Sequence, residues 1–207
     1  MKLKFMVAVM AAFAFVFSAC DSKDAGNKQL VLYYSQTGST KVVAEEIQKM
    51  LDTDIELIEL ENPYTGTYAE TLERVKQERE SGNLPALKPL KADLSKYEVI
   101  YLGYPIWFGT YALPIASLIK DHDFEGKKIV TFCTFGSGDL ESALEDLKKA
   151  LPKAKIAEHG FGIRDVRVAA TPKELNRFLI EQGYMEGQVE ALPGYSEMRP
   201  VTEEEKL

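Results

Sequence analysis

Residues 30–40 read Leu-Val-Leu-Tyr-Tyr-Ser-Gln-Thr-Gly-Ser-Thr, and this stretch decides the fold class. The first five residues are apolar or aromatic with no alternating polar position, which is typical of a strand covered on both faces in a parallel sheet. Hydroxyl side chains follow, and the apolar residues of 42–51 then recur at helical spacing. The stretch therefore predicts a buried strand, a polar loop and a helix capped by Ser39 or Thr40.

The rest of the chain repeats this order of strand and helix. Further strands are predicted at 55–60, 99–104, 128–134 and within 155–163, with helices at 67–80, 112–122, 140–151 and from Pro172 onward. The alternation of Ile and Leu with Glu in 55–60 indicates a half-exposed strand at a sheet edge. Five strands alternating with helices predict an α/β domain with a doubly wound parallel sheet and right-handed crossovers.

The loops that follow the strands are the candidate site, because ligands of doubly wound sheets bind beyond the carboxyl ends of the strands. The first loop is Ser35-Gln36-Thr37-Gly38-Ser39-Thr40, whose hydroxyl and N–H groups converge on the positive end of a helix. It has neither the Gly-Lys-Ser/Thr pattern nor the three spaced glycines of nucleotide-binding loops. Neutral donors at a helix end are suited to a terminal phosphate monoester. The alternative is a plain turn that caps a helix.

The second and third loops follow the next two buried strands. The second loop, Tyr104-Pro105-Ile106-Trp107-Phe108-Gly109-Thr110, carries the only Trp of the 207 residues. A planar aromatic ligand can stack on such a ring, and the alternative is a Trp that fills the core. The third loop is Thr134-Phe135-Gly136-Ser137-Gly138-Asp139, whose two glycines either let the backbone approach a ligand or form a simple turn.

These motifs resemble those of the flavodoxin family. The Ser-x-Thr-Gly-x-Thr pattern of 35–40 is similar to the family's phosphate loop, and Gly-Tyr-Pro-x-Trp at 103–107 resembles a marker of one bacterial branch. The resemblance spans roughly residues 30–183 and implies flavin mononucleotide (FMN) as cofactor and the strand order 2-1-3-4-5. It also implies that Ser35 to Thr40 bind the phosphate, that Pro105 to Gly109 line the isoalloxazine ring with Trp107 as a stacking wall, and that Thr134 to Gly138 flank its other side.

Two functions fit this resemblance. One is an electron carrier, which passes single electrons to or from a redox partner protein and needs no catalytic side chain. The other is an FMN-dependent reductase of the NAD(P)H:quinone type, although the sequence contains no dinucleotide-binding motif. A lipoprotein that has lost flavin and serves as a binding module is disfavoured, because all three loops look intact. We expect the carrier.

Composition excludes two other classes of function. The chain has 25 Lys and Arg against 32 Asp and Glu, a formal charge of −7, which is the wrong sign for binding a nucleic-acid backbone. Cys20, Cys133, His122 and His159 do not stand at metal-ligand spacing, so no metal site is expected. Cys133 lies in an apolar strand and is expected to be a buried, unreactive thiol.

The N-terminal segment is typical of a secretory signal. Lys2 and Lys4 precede an apolar run at 5–17, which is shorter than the about 20 residues that span a membrane. The ending Ser18-Ala19-Cys20 resembles a bacterial lipoprotein signal, whose cleavage leaves a lipid-carrying Cys at the new N-terminus; an ordinary signal cleaved elsewhere is the alternative. We therefore predict an exported lipoprotein anchored to a membrane through Cys20, with a signal peptide at 1–19, a tether at 20–28, an FMN-binding domain at 29–183 and a tail at 184–207.

Overall fold

The computed structural model describes residues 28–138 and 140–188. The predicted signal peptide, Cys20, nearly all of the tether, and the tail beyond residue 188 lie outside the described residues. Strands and helices occur in the order β1 (Gln29–Tyr33), α1 (Ser39–Leu51), β2 (Asp54–Leu57), α2 (Tyr68–Ser81), β3 (Val99–Trp107), β4 (Thr110–Tyr111), α3 (Leu113–Asp121), β5 (Lys128–Phe135), α4 (Leu140–Ala150), β6 (Lys155–Ile156), β7 (Phe161–Arg164) and α5 (Thr171–Glu181). Short 3₁₀ helices occupy Leu94–Lys96 and Asp165–Ala170.

The strands form a parallel sheet in the order β2-β1-β3-β5, and β5 then pairs with both β6 and β7. The predicted fourth strand is β5, and the predicted fifth strand is divided into β6 and β7. The predicted order 2-1-3-4-5 is thus confirmed, and β2 stands at the edge as its alternating pattern indicates. The sheet is parallel throughout except for β4, which pairs antiparallel with β3.

Helices cover both faces of the sheet, because successive strand residues point to opposite sides. Leu30 and Leu32 belong to a buried cluster with residues of α2, α3 and α4. Val31 and Tyr33 belong to a second cluster with residues of α1 and α5. The three layers confirm a doubly wound α/β fold and leave the carboxyl ends of the strands free to form a site.

The end of β3 differs from the sequence-based prediction. The strand was expected to stop at Tyr104, but it continues to Trp107 and turns back into β4, with Trp107 opposite Thr110. Phe108 and Gly109 form the turn with φ angles of 52° and 78°. A two-residue hairpin of this kind requires positive φ at both positions. Trp107 therefore stands at the end of a strand, where ladder pairing holds its backbone.

The insertion between β2 and β3 contains α2 and a return segment, residues 86–97, that runs back beside β2. The backbone of Glu61 donates to Ala86 and that of Lys88 donates to Glu59, at 2.9 and 2.8 Å. The Glu56 carboxylate accepts from the N–H groups of Lys91 and Ala92 at 2.6 and 2.8 Å. The Tyr97 hydroxyl donates to Asp54 at 2.9 Å. The return segment therefore flanks the outer side of β2 along its length.

The described chain continues past α5 into the predicted tail. Tyr184 packs edge-on against Tyr101 of β3, with 6.0 Å between ring centroids, and the Lys128 ammonium lies 4.6 Å from the Tyr184 ring.

Within residues 28–138 and 140–188, no helix combines the length and the apolar character needed to cross a membrane.

Candidate functional site

A cavity of about 520 Å³ opens at the carboxyl ends of β1, β3 and β5. All three predicted loops line it: Gln36, Thr37 and Ser39 from the first, Pro105, Ile106, Trp107, Phe108 and Gly109 from the second, and Thr134, Phe135, Gly136, Ser137 and Gly138 from the third. Ser35, Gly38 and Thr40 are not among the lining residues. The sheet thus brings segments that are far apart in sequence to one site, as expected for this fold.

The first loop is organised by Ser35 and Gly38. Gly38 is the residue that precedes α1, and its left-handed φ of 95° turns the chain back on itself. The Ser35 hydroxyl then accepts hydrogen bonds from the N–H groups of Gly38 and Lys41, both at 3.2 Å. The prediction that Ser39 or Thr40 caps the helix is wrong, because the returning loop brings the Ser35 hydroxyl to the first turn instead.

This arrangement leaves donors free at the N-terminus of α1. Within the described chain, no acceptor meets the backbone N–H groups of Ser39 and Thr40 or the hydroxyls of Thr37 and Ser39. The first turn of α1 contains no acidic side chain. Unpaired N–H groups at a positive helix end attract an anion. The first loop therefore fits a phosphate group.

Thr40 connects the first loop to the third. Its side chain is 1% exposed, and its hydroxyl oxygen lies 2.8 Å from that of Thr134, which is 3% exposed. A buried hydroxyl pair satisfies both groups and fixes the separation of α1 and β5. The Thr40 hydroxyl is therefore engaged with Thr134, and only the backbone N–H of Thr40 is unpaired.

Trp107 forms an aromatic wall of the cavity. Its ring is half-buried and packs edge-on against Tyr34 and Tyr64, with centroid distances of 5.8 and 5.4 Å. It also contacts the core cluster that contains both tyrosines. The ring thus has the core on one side and the cavity on the other, and its stacking on a flavin stays a prediction.

A wall of the cavity that the sequence analysis missed belongs to α2. Tyr68, Thr71, Leu72 and Val75 line the site from one face of this helix. Their spacing of three and four residues is the signal that could have shown this face. The strong charge of the helix hid it, because most residues on the other faces are charged or polar. Val75 is buried, whereas Tyr68 and Leu72 are 81% and 40% exposed.

Two charged residues, Asp165 and Arg164, lie next to the third loop, and the sequence analysis did not predict either of them. Asp165 is the only formally charged residue among the described residues that line the cavity. The adjacent Arg164 guanidinium donates to the carbonyl of Gly136 at 2.8 Å. Both residues follow or end β7, which pairs with β5 and so reaches the same edge of the sheet. No local motif marks them, because only the strand pairing brings them to the third loop.

The rim of the cavity is apolar and exposed. Phe108 is 52% exposed, and the Arg79 guanidinium lies 5.0 Å from the centre of its ring. Tyr68 and Leu72 of α2 lie on the same rim, and Val166, next to Asp165, is 85% exposed. Tyr68, Leu72 and Phe108 are thus exposed apolar side chains that line the cavity.

The remaining candidate residues lie away from this chemistry. Cys133 is fully buried in β5, as predicted, and burial raises the pKa of its thiol to about 12. Among the described residues, no group of three His, Cys, Asp or Glu side chains is placed to hold a metal ion.

The fold and site define a class of protein. A doubly wound sheet with an anion-binding helix end and an aromatic wall at its carboxyl edge is typical of proteins that bind a mononucleotide cofactor. The family model described as Flavodoxin matches residues 28–170. The chain therefore belongs to the flavodoxin family.

Solved structures agree with this assignment. Two proteins described as candidate flavoproteins are similar: one from Bacteroides eggerthii is 28% identical (70% of this chain, 95% of that chain, TM-score 0.61), and one from Bacteroides uniformis is 27% identical (73% and 99%, TM-score 0.64). A flavoprotein from Lactobacillus acidophilus, solved in complex with FMN, shares the fold at 22% identity (70% and 97%, TM-score 0.58). No curated protein matches the chain significantly.

Proposed function

We propose that this chain is an FMN-binding electron carrier that exchanges single electrons with a protein partner. The observation that carries the proposal is one cavity with an anion-binding end and an aromatic wall. The unpaired N–H group of Ser39 and the hydroxyls of Thr37 and Ser39, two residues that line the cavity, would hold the FMN phosphate. Trp107 would lie against the isoalloxazine ring. FMN itself supplies the capacity to take up and release one or two electrons.

The lining of the cavity favours a carrier over an enzyme. Among the described lining residues, Asp165 is the only acid or base, and no Lys or Arg is present. A nicotinamide dinucleotide would bring two phosphates besides that of FMN, and the lining offers them no cationic partner. The reductase alternative is therefore less well supported, while an electron carrier requires no further polar group.

The exposed rim is the surface that we assign to the redox partner. Tyr68, Leu72 and Phe108 surround the opening and are each at least 40% exposed. Aromatic and aliphatic side chains of this kind are frequent at the centre of protein interfaces. A partner that covers the rim would bring its own cofactor close to the isoalloxazine ring.

We also propose that the protein is exported and anchored to a membrane through lipid on Cys20. The support is the order of charged, apolar and small residues in 1–20. Expression with a labelled fatty acid in a bacterial host should label the protein, and Cys20→Ala should abolish the label. An unmodified Cys20 in the mature protein, detected by mass spectrometry, would contradict the anchor.

Stepwise reduction of the FMN-loaded protein tests the carrier function. Under anaerobic conditions we expect two separate one-electron steps in a spectroelectrochemical titration, together with slow NADH:quinone turnover. A single two-electron step with rapid turnover would contradict the carrier and support the reductase. Failure of the purified protein to bind FMN at all would contradict both.

A further inference from the structure

Two tyrosines fix the orientation of Trp107. The ring planes of Tyr34 and Tyr64 meet that of Trp107 at 85° and 78°, so each tyrosine presents an edge contact. Edge-to-face packing is a preferred aromatic geometry because it matches the charge distribution of the rings. Both tyrosines therefore contact one indole, and that indole lines the cavity.

The same tyrosines hold Gln36 of the first loop. The Tyr34 hydroxyl donates to Gln36 Oε1 at 2.5 Å, and Gln36 Nε2 donates to the backbone carbonyl of Tyr64 at 2.9 Å. Gln36 lines the cavity beside the anion-binding end. Tyr64 is therefore connected to two walls of the site: to Trp107 through its ring and to Gln36 through its carbonyl.

Tyr64 is held in turn by α2. Its hydroxyl donates to Glu78 Oε2 at 2.5 Å, and Arg74 Nε donates to Glu78 Oε1 at 2.8 Å. The Arg74 guanidinium lies 4.2 Å from the Tyr64 ring centre and donates to the carbonyls of Pro63 and Asn62, both at 3.0 Å. Arg74 thus pairs its charge with Glu78 and stacks its planar guanidinium on the Tyr64 ring, two contacts for which Arg is well suited.

This group of contacts is sheltered from solvent. Tyr64 is 5% exposed, and the side chains of Glu78 and Arg74 are 16% and 34% exposed. Ion pairs between fully exposed side chains contribute little to stability. A mostly buried carboxylate that accepts from both a phenol and a guanidinium is more strongly fixed.

We propose that Glu78, which Arg74 holds in place, is a positioning residue for the flavin site and acts through Tyr64 on the orientation of Trp107. Neither residue lines the cavity, and the two lie on α2, outside the three loops. The inference rests on the proposed function in one respect, namely that flavin occupies the cavity that Trp107 lines. Its first consequence, an ordered Trp107, requires no flavin.

The fluorescence of Trp107 tests the proposal without cofactor, because it is the only Trp of the sequence. In the FMN-free protein, Tyr64→Phe and Glu78→Ala should each lower the anisotropy of Trp emission and raise its quenching by acrylamide. Glu78→Gln retains an oxygen that can accept from Tyr64 and should restore much of the signal. Glu73→Ala is the matched control, because Glu73 accepts from Gln77 on the same helix at 2.9 Å but does not contact Tyr64.

A double variant separates positioning from a general structural role. If Glu78 acts through the Tyr64 hydroxyl, Glu78→Ala should have little further effect on Trp107 in the Tyr64→Phe background. FMN affinity should fall by roughly three- to tenfold in either single variant, as expected for one lost hydrogen bond. Tyr64→Phe removes a single oxygen, so it keeps the test decisive should Glu78→Ala fold poorly.

The outcomes distinguish the two proposals. Unchanged Trp107 emission and anisotropy in folded Tyr64→Phe would overturn the positioning role, and so would equal effects of Glu73→Ala and Glu78→Ala. If Trp107 responds as expected but no form of the protein binds FMN, the positioning role stands and the proposed function fails.

Discussion

Thr37 and Thr71 line the same cavity from different walls, which makes them a matched pair. Thr37 belongs to the anion-binding end, where a charge-assisted hydrogen bond is worth about 1.5–3 kcal/mol. We expect Thr37→Ala to weaken FMN binding by about tenfold or more and to leave riboflavin binding nearly unchanged, because riboflavin lacks the phosphate. Fluorescence titration with both ligands measures this.

The control for this prediction is Thr71→Ala, which removes the same hydroxyl from α2. It should affect FMN and riboflavin equally or not at all. Equal losses for the two ligands in Thr37→Ala would place the first loop away from the phosphate.

Gly103 lies in β3 where no side chain fits. A Cβ atom there would lie 2.1 Å from Cζ of Phe132 on the adjacent strand β5, and Phe132 is 1% exposed. We expect Gly103→Ala to lower the free energy of unfolding by about 1–3 kcal/mol, the usual cost of overpacking a core. Urea denaturation measures the change.

A second substitution shows whether the clash is the cause. Phe132→Leu removes the ring atoms nearest to Gly103, so adding Gly103→Ala to this variant should cost less than adding it to the unmodified protein. Equal costs in both backgrounds would mean that the backbone of β3, and not the Phe132 ring, requires glycine.

At the scale of elements, we expect the stability of the N-terminal turn of α2 to depend on pH. The Thr67 side chain accepts from Glu70 N–H, and the Glu70 carboxylate accepts from Thr67 N–H at 2.7 Å, a capping box. The N–H and hydroxyl of Thr67 lower the pKa of Glu70 from its ordinary value of about 4.5. The cap is therefore fully present above pH 4.5, the unfolded-state value, and is lost as the pH falls through the lower folded-state value.

Hydrogen exchange of the first turn of α2, corrected for intrinsic rates, should show this loss of protection. Glu70→Gln should remove the carboxylate titration, and with it most of the pH dependence of protection. Glu73→Gln changes the same charge on the same helix and should leave the dependence intact. An unchanged profile in Glu70→Gln would show that another group controls the end of α2.

The sequence predicted the parallel sheet and the three loops because those features depend on local patterns, whereas the strand order followed from the resemblance to the flavodoxin family. Buried strands such as Leu30 to Tyr34 have a continuous apolar composition, and each loop follows its strand directly. The elements missed are those defined by pairing. The hairpin at Phe108 and Gly109 needs a strand opposite Trp107, and β4 is only two residues long.

The missed parts of the site have the same physical origin. Asp165 and Arg164 reach the cavity only because β7 pairs with β5. Leu72 and Val75 lie on the face of α2 that lines the cavity, together with loops that are far from α2 in the sequence. Whether a charged helix rests in solvent or against a cavity is decided by tertiary packing, which composition alone does not encode.

At the scale of the whole molecule, Cys133 reports on global unfolding. Its thiol is fully buried in β5, at the centre of the sheet, so a thiol reagent should reach it only when the domain opens. In a Cys20→Ala variant, where Cys133 is the single remaining Cys, we expect slow labelling. FMN at 100 times its Kd should slow labelling by about a hundredfold, equivalent to about 2.7 kcal/mol.

Mass spectrometry of samples withdrawn over time measures the labelling. If FMN binds but leaves the rate unchanged, Cys133 is reached by a local opening that does not disturb the cavity. Labelling that accelerates in proportion to the urea dependence of unfolding would support the global mechanism.

The return segment along β2 also bears on self-association. An uncovered edge strand offers its unpaired N–H and carbonyl groups to a strand of another molecule, which is a route to aggregation. Here Glu56 of β2 already accepts hydrogen bonds from the backbone of Lys91 and Ala92, and the Tyr97 hydroxyl donates to Asp54. Another strand can therefore pair with β2 only after residues 86–97 have detached, so the return segment protects this side of the sheet from self-association.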